Sequence, residues 1–516
     1  MLIKISFLAV FVAIMVGVGF YCRRQATDVN GFVLGGRSVG PWLTAFSYGT
    51  SYFSAVIFVG YAGQFGWKYG LAATWIGIGN ALIGSLFAWS ALGRRTRVMS
   101  QHISSKTMPE FFGNRYDSKG LKIFASVLVF VFLIPYTASL FNGLSRLFGM
   151  AFNVDYTVCV IAMAVVTGIY VVVGGYMATA INDLIQGVIM LVGIAAVVMA
   201  VLKTQGGFTA AVEALSQIPA ENSAQQGAFT SFFGPDLFNL MGVVLLTSLG
   251  TLGLPQMIGK FYAIKDEKSI RTGTIVSTVF ALVVAGGCYF LGGFGRLFAD
   301  KAEYAADGSI IYDSIVPGML YGLSDVLIAI VVILVLSASI STLSALVLTS
   351  SSTITLDFIS SLRKKDLKEK SKLSIMRVFV VLFIVISAVI AIIQAKSAVT
   401  FIAQLMGISW GALAGSFLAP FLLSLYWKKV TKVAVGVNFV SGAGIMVLNM
   451  VAKDIFPSFL QSPLNAGVLA MLLGFVIVPV VSLLTQKTVD ANKVDKTFEC
   501  YDAEVKVKSK HMLEQK

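Results

Sequence analysis

Two clusters of oxygen-bearing side chains interrupt a chain that is otherwise almost continuous hydrocarbon. The first is Ser47-Tyr48-Gly49-Thr50-Ser51-Tyr52-Phe53-Ser54. The second is Ser337-Ala338-Ser339-Ile340-Ser341-Thr342-Leu343-Ser344, followed by Thr349 to Thr353. In the second cluster Ser341 and Thr342 follow Ala338 by three and four residues, so all three share one side of a helix. Two hydroxyls and a freed carbonyl there, with more carbonyls from a helix broken at the first cluster, would offer several neutral oxygens and no soft ligand. Such a set suits a hard monovalent cation. The plainer reading is that these hydroxyls bond back to their own helix. A third run, Ser248-Leu249-Gly250-Thr251-Leu252-Gly253-Leu254-Pro255, has the same small, polar and helix-breaking character as the first.

Acids are scarce at this depth. Asp183 is the carboxylate set well inside an apolar context, shortly after Gly174-Gly175, while Asp155, Asp325 and Asp357 lie near the ends of apolar runs. Asp183 is a candidate for a sodium exit route or a second ion site, and equally for a helix cap. The two histidines, His102 and His511, lie in polar segments, and the four cysteines are scattered without a CxxC. That pattern argues against a disulfide framework, a His/Cys metal centre, a bound cofactor and an enzyme active site. It also favours sodium over protons as a coupling ion, because proton-coupled pumps use titratable groups inside the membrane. Proton coupling is the alternative.

The elements that must position these clusters are membrane helices. Of 516 residues, 57% are hydrophobic and 12% charged, and mean hydropathy is +0.84. Apolar runs recur from end to end, each long enough to cross a hydrocarbon core of roughly 30 Å. About 13 such spans are expected, near 2–22, 41–65, 71–93, 122–148, 156–176, 183–202, 236–260, 272–296, 323–350, 377–395, 399–427, 432–452 and 465–485. The first ends in Arg23-Arg24, the reverse of a signal peptide's charge order, so it is kept as a span.

The net charge of +14 follows the membrane rather than nucleic acid. With the N-terminus outside, only Lys4, Lys68, Arg146, Lys203, Arg296, Lys301, Lys396 and Lys453 of the 39 basic residues fall outside. The rest fall inside, including Lys260 to Arg271, as the positive-inside rule requires. The C-terminus is then cytoplasmic and the protein sits in a cell (inner) membrane. The interrupted second and seventh spans lie five spans apart, so equivalent helices would run in opposite directions. That is the sign of an inverted-repeat transporter. A non-transporting sensor would need a signalling domain, for which the tail is short.

At these residues the chain resembles the sodium/solute symporter family, which includes the sodium/proline, sodium/pantothenate and sodium/glucose symporters. The likeness runs over roughly residues 30–430. It is carried by Phe32-Val33-Leu34-Gly35-Gly36-Arg37-Ser38, Thr107-Met108-Pro109-Glu110-Phe111-Phe112, Val173-Gly174-Gly175 with Asn182-Asp183 and Gln186, Gly253-Leu254-Pro255-Gln256, and Ala338 with Ser341-Thr342.

The resemblance implies an all-α integral membrane protein of LeuT type. A flanking helix would occupy 1–30, a first inverted repeat 31–202, an outer loop 203–235, a second repeat 236–430, two flanking helices 431–485 and a cytoplasmic tail 486–516. It implies a sodium site made by main-chain oxygens of Thr50, Phe53 and Ala338 and hydroxyls of Ser341 and Thr342. The expected partners are sodium and a small solute such as an amino acid, pantothenate or another carboxylate, moved by alternating access. Candidate solute contacts are Ser51, Tyr52, Ser54, Tyr136, Thr247, Thr251 and Gln404. Tyr52 stands where proline symporters carry an aspartate, and Thr247 and Thr251 where they carry aromatic residues, which speaks against proline. The Gly-Leu-Pro-Gln run is closer to the pantothenate branch.

Overall fold

Without water, backbone N–H and C=O groups must be satisfied within the chain, so each long apolar run becomes a helix. The computed structural model describes residues 2–220, 226–363, 365, 367–395 and 402–514. In chain order its main helices are α1 (Leu2–Cys22), α2 (Pro41–Tyr52), α3 (Ala62–Tyr69), α4 (Thr74–Ala81), α5 (Arg94–His102), α6 (Met108–Tyr116), α7 (Lys119–Phe152), α8 (Tyr156–Thr204) and α9 (Leu237–Leu249). They continue as α10 (Pro255–Tyr262), α11 (Glu267–Gly292), α12 (Asp325–Thr353), α13 (Glu369–Ala395), α14 (Ile402–Tyr426), α15 (Lys432–Val451), α16 (Pro463–Leu484) and α17 (Ala491–Glu514).

Among the described residues, 10 helices are long and apolar enough to cross a membrane, or 11 if α9 and α10, bent by 45° at their junction, form one span. Two helical stretches, Val56–His102 and Tyr156–Thr204, run for 47 and 49 residues. At about 1.5 Å per residue each is more than twice as long as one crossing needs. Each is interrupted by a glycine with positive φ: Gly70 (φ 61°, ψ −141°) and Gly175 (φ 56°, ψ −148°). A Cβ at Gly175 would lie 2.9–3.1 Å from Phe32, so the position needs glycine for backbone and for space.

The breaks expected in the second and seventh spans are present. After Tyr52 the chain leaves helical geometry at Phe53 (φ −88°, ψ 125°) and re-enters it as a π-helical turn at Val56–Tyr61. At the other break Leu254 is extended (φ −84°, ψ 123°) and Pro255 opens α10. Proline suits that first position because its missing N–H would have no partner there. α2 packs against α8, α10, α11 and α12.

The sequence motifs have local roles. Gly35, Gly36 and Arg37 all have positive φ, and this turn aims Arg37 sideways. Its guanidinium donates to Ser100 Oγ (3.2 Å), Tyr262 O (3.1 Å) and Ser105 O (2.6 Å), tying α5 to the end of α10. Thr107 caps α6 by accepting from Glu110 N (3.1 Å), and Glu110 accepts from Lys106 N (2.8 Å). The arrangement resembles a capping box, with the glutamate reaching the N–H one residue before the cap. Phe111 and Phe112 are buried against Phe417, Phe421 and Phe439.

Candidate cation site

A helix leaves its last four carbonyls without an intrahelical donor. Because α2 stops at Tyr52, the Thr50 carbonyl is one of these. It faces α12, where the Ser341 hydroxyl lies 3.1 Å from Thr50 O and 3.0 Å from Ala338 O. The Thr342 hydroxyl lies 3.2 Å from Thr50 O, 3.0 Å from Phe53 O and 3.1 Å from Ala338 O. Thr50, Phe53, Ala338, Ser341 and Thr342 are fully buried, and the structure brings all of them to one point.

Each hydroxyl carries one hydrogen. Two of the five contacts return to Ala338 O within α12, and three reach carbonyls at the broken end of α2. Buried polar atoms are normally satisfied, and a hard cation would satisfy this group by taking all its oxygens as ligands. Back-bonding accounts for the neighbours instead. Ser339 donates to Val335 O (2.9 Å) and Ser344 to Ile340 O (2.6 Å), each within α12.

The candidate solute contacts separate in the same way. Ser51 donates to Ser47 O and Thr247 to Val243 O (2.9 Å), each within its own helix, while Thr251 lies 2.8 Å from Ser248 O and also 3.2 Å from Gly84 O on a distant segment. Ser54 and Tyr136 do come together. The Tyr136 hydroxyl lies beside Ser54 and the Trp410 indole, and the Tyr136 and Trp410 rings meet edge to face at 6.0 Å. Sequence reasoning passed over Trp410, a buried aromatic in an apolar helix with nothing local to mark it. Gln404 is half-buried in the first turn of α14. The side chain of Tyr52 lies outside the described residues.

Asp183 lies within α8, past the Gly175 interruption, so it caps no helix. The Ser47 hydroxyl donates to Asp183 Oδ2 at 2.5 Å. The Lys260 ammonium donates to Ser47 Oγ at 2.7 Å and stands 3.6 Å from Asp183 Oδ2. Asp183 is 0% and Lys260 3% exposed. Lys260, expected among the loop cations, is therefore a buried member of α10. Its place on the helix opened by Pro255, a few residues into an apolar run, was the available clue. Ser47 precedes Thr50 by one helical turn, so this triad adjoins the five-oxygen site.

Asp357 is also buried. It accepts from Thr107 Oγ1 (2.6 Å) and pairs with Lys122 (3.4 Å), which also pairs with Glu110 (3.3 Å). It secures the cap of α6 to the end of α12. No group of three or more His, Cys, Asp or Glu residues that could hold a metal is found among the described residues.

The sequence model of the Sodium:solute symporter family matches residues 32–436. Sodium/proline symporters of Staphylococcus aureus, such as those of strains JH9 and Mu3, are 29% identical over 456 residues, covering 86% of this chain and 84% of theirs. In three dimensions the chain is similar to a Na+-coupled sialic acid symporter in a substrate-bound outward-open state. The TM-score is 0.72 at 15% identity, over 93% of this chain and 98% of that one. It is similar also to Mhp1, a nucleobase-cation-symport-1 family transporter, with a TM-score of 0.52 at 14% identity, over 90% of this chain and 97% of that one. The family model spans most of the chain and takes in both broken helices and the oxygen cluster, and the chain is a member of the Sodium:solute symporter family.

Proposed function

We propose that this protein is a secondary active transporter that takes up a small organic solute by symport with sodium. The observation that carries the reading is the five-oxygen cluster of Thr50, Phe53, Ala338, Ser341 and Thr342, in which two hydroxyls of α12 meet the carbonyls left open by the break in α2. Sodium there would join the broken end of α2 to α12. Joining them would order the residues just past the break, Phe53 and Ser54, and with Ser54 the cluster that includes Tyr136 and Trp410. The ion and the solute would then favour the same conformation, which is what coupling between two ligands requires. Inward opening separates α2 from α12, and both leave.

The solute is a small carboxylate-bearing molecule such as an amino acid or pantothenate. The relatives named sodium/proline symporters put proline in the first panel. Counting the segments on either side of Gly70 and Gly175 as separate crossings, and α9–α10 as one, gives about 13 spans. Spans two to six and seven to eleven then form the two inverted repeats, with the N-terminus outside, the C-terminus cytoplasmic and the protein in the cell membrane.

The test is uptake of labelled amino acids, pantothenate and other carboxylates into proteoliposomes, under an inward sodium gradient, an inward proton gradient, or neither. Sodium-dependent accumulation of one solute is expected. Accumulation driven only by protons would move the reading to proton symport.

A further inference from the structure

The Asp183 carboxylate accepts from Ser47, which precedes Thr50 of the proposed sodium site by one helical turn, and it is fully buried. A buried carboxylate needs a positive partner. In a sodium-coupled chain that partner could be a second sodium ion or a side chain, and the two alternatives predict different numbers of ions per cycle.

We propose that the Lys260 ammonium occupies the place of a second coupling cation, so that one sodium ion is bound in each transport cycle. This rests on the sodium reading above. Asp183 Oδ2 already accepts from Ser47 at 2.5 Å, and Lys260 Nζ is 3.6 Å from the same oxygen while donating to Ser47 at 2.7 Å. The Tyr176 ring lies 5.2 Å from the ammonium and gives it a further favourable face. Asp183 Oδ1 has no hydrogen-bond partner, so an oxygen that a second ion would use is present. Its charge, however, is spent. A sodium ion bound there would face the ammonium across a few ångströms in a region with little solvent to screen them, and the two like charges repel.

The neutral five-oxygen site needs no such charge partner, because the ion supplies the charge. A tethered cation also stays with the protein when solute and sodium leave. Ser47, Asp183 and Lys260 come from α2, α8 and α10, so the pair holds the inner segments of both broken spans against α8. It can neutralise Asp183 in each conformation without taking up an ion.

The experiment counts bound sodium on purified, detergent-solubilised full chain by equilibrium binding of radioactive sodium, with no solute needed. One ion per chain is expected, with a Hill coefficient of one. In Lys260→Met, at alkaline pH so that Asp183 stays ionised, the count should rise toward two and the Hill coefficient above one. In the charge-neutral pair Lys260→Met with Asp183→Asn, the count should return to one, which also controls for folding. Two ions bound to the wild type, or one bound to a folded Lys260→Met variant, would overturn the proposal. If Lys260→Met does not fold, the wild-type count decides alone. No sodium bound to the wild type would remove the sodium reading itself.

Discussion

A hydroxyl that ligates a cation matters differently from one that bonds to its own helix, and α12 carries hydroxyls proposed for each role within four residues. Ser341 and Thr342 face the carbonyls of a broken helix, whereas Ser339 returns to Val335 O. Loss of a contact to a charged group costs about 1.5–3 kcal/mol, and about 1.4 kcal/mol is tenfold in affinity. Ser341→Ala and Thr342→Ala should therefore each raise the sodium concentration for half-maximal binding roughly tenfold or more, while Ser339→Ala leaves it unchanged. Sodium titrations of the three purified variants check this, and wild-type curves for all of them would return these hydroxyls to a packing role. Arg37 gives a second case. Its planar fork reaches two main-chain oxygens and a hydroxyl on different segments, a geometry that a lysine cannot reproduce. Arg37→Lys should destabilise the protein by about 1–3 kcal/mol, read as a lower thermal midpoint with no change in sodium affinity.

Among the elements, α8 depends on one glycine. Gly175 has a backbone conformation almost closed to other residues, which costs on the order of 1–3 kcal/mol to impose, and a Cβ would also press on Phe32. Gly175→Ala should sharply reduce folded yield or thermal stability, whereas Gly17→Ala, where a Cβ meets open space, should not. A different element, α17, docks on the helix bundle through the buried Phe498, through Tyr501 packed on Arg95, and through exposed ion pairs of Lys493 with Asp117 (2.6 Å) and Asp495 with Lys428 (2.7 Å). The Lys493 hydrogen bond and charge hold the Asp117 carboxyl below the ordinary carboxylate range. A carboxyl lowered in the folded state contributes above its ordinary pKa and loses that contribution as pH falls through the lowered value. Docking of α17 should therefore be constant from neutral pH to about pH 5 and weaken below about pH 4. Amide hydrogen exchange over residues 491–502 should show this, and an equal loosening at neutral pH in Asp117→Asn would be the matching result. Exchange that does not respond to either change would mean that packing by Phe498 and Tyr501, not charge, holds the helix.

At the scale of the whole molecule, the orientation rests on the distribution of 39 basic residues. Cys22, Cys159, Cys288 and Cys500 are all buried, so the native background for an impermeant thiol reagent should be low. A cysteine at Lys365, which is exposed, should be protected in intact cells and labelled after permeabilisation. One at Asp307, also exposed, should be labelled in intact cells. The opposite pattern would invert the proposed topology without touching the proposed sodium site, because that site is placed by contacts between helices and not by which face of the membrane is which.

The sequence by itself determined that the chain crosses a membrane many times, because hydrocarbon length and the absence of backbone partners in lipid leave helices as the solution. It also located the breaks within the runs 47–54 and 248–255, which the structure puts at Phe53 and Leu254, and the oxygen-bearing face of α12, since proline, glycine and helical spacing act locally. Tertiary structure decided which oxygens meet. Thr50 and Ser341 are 291 residues apart, and no local pattern distinguishes a hydroxyl facing a broken helix from one bonded to its own turn. Ser339 and Ser341 look alike in sequence, yet one closes on Val335 and the other reaches across to Thr50. The same holds for Lys260. As a basic residue near the end of an apolar run it reads as a loop cation. Burial beside Asp183, contributed by a helix far away in sequence, makes it a fixed counter-charge instead, because a charge in a low-dielectric interior is governed by its nearest partner in space.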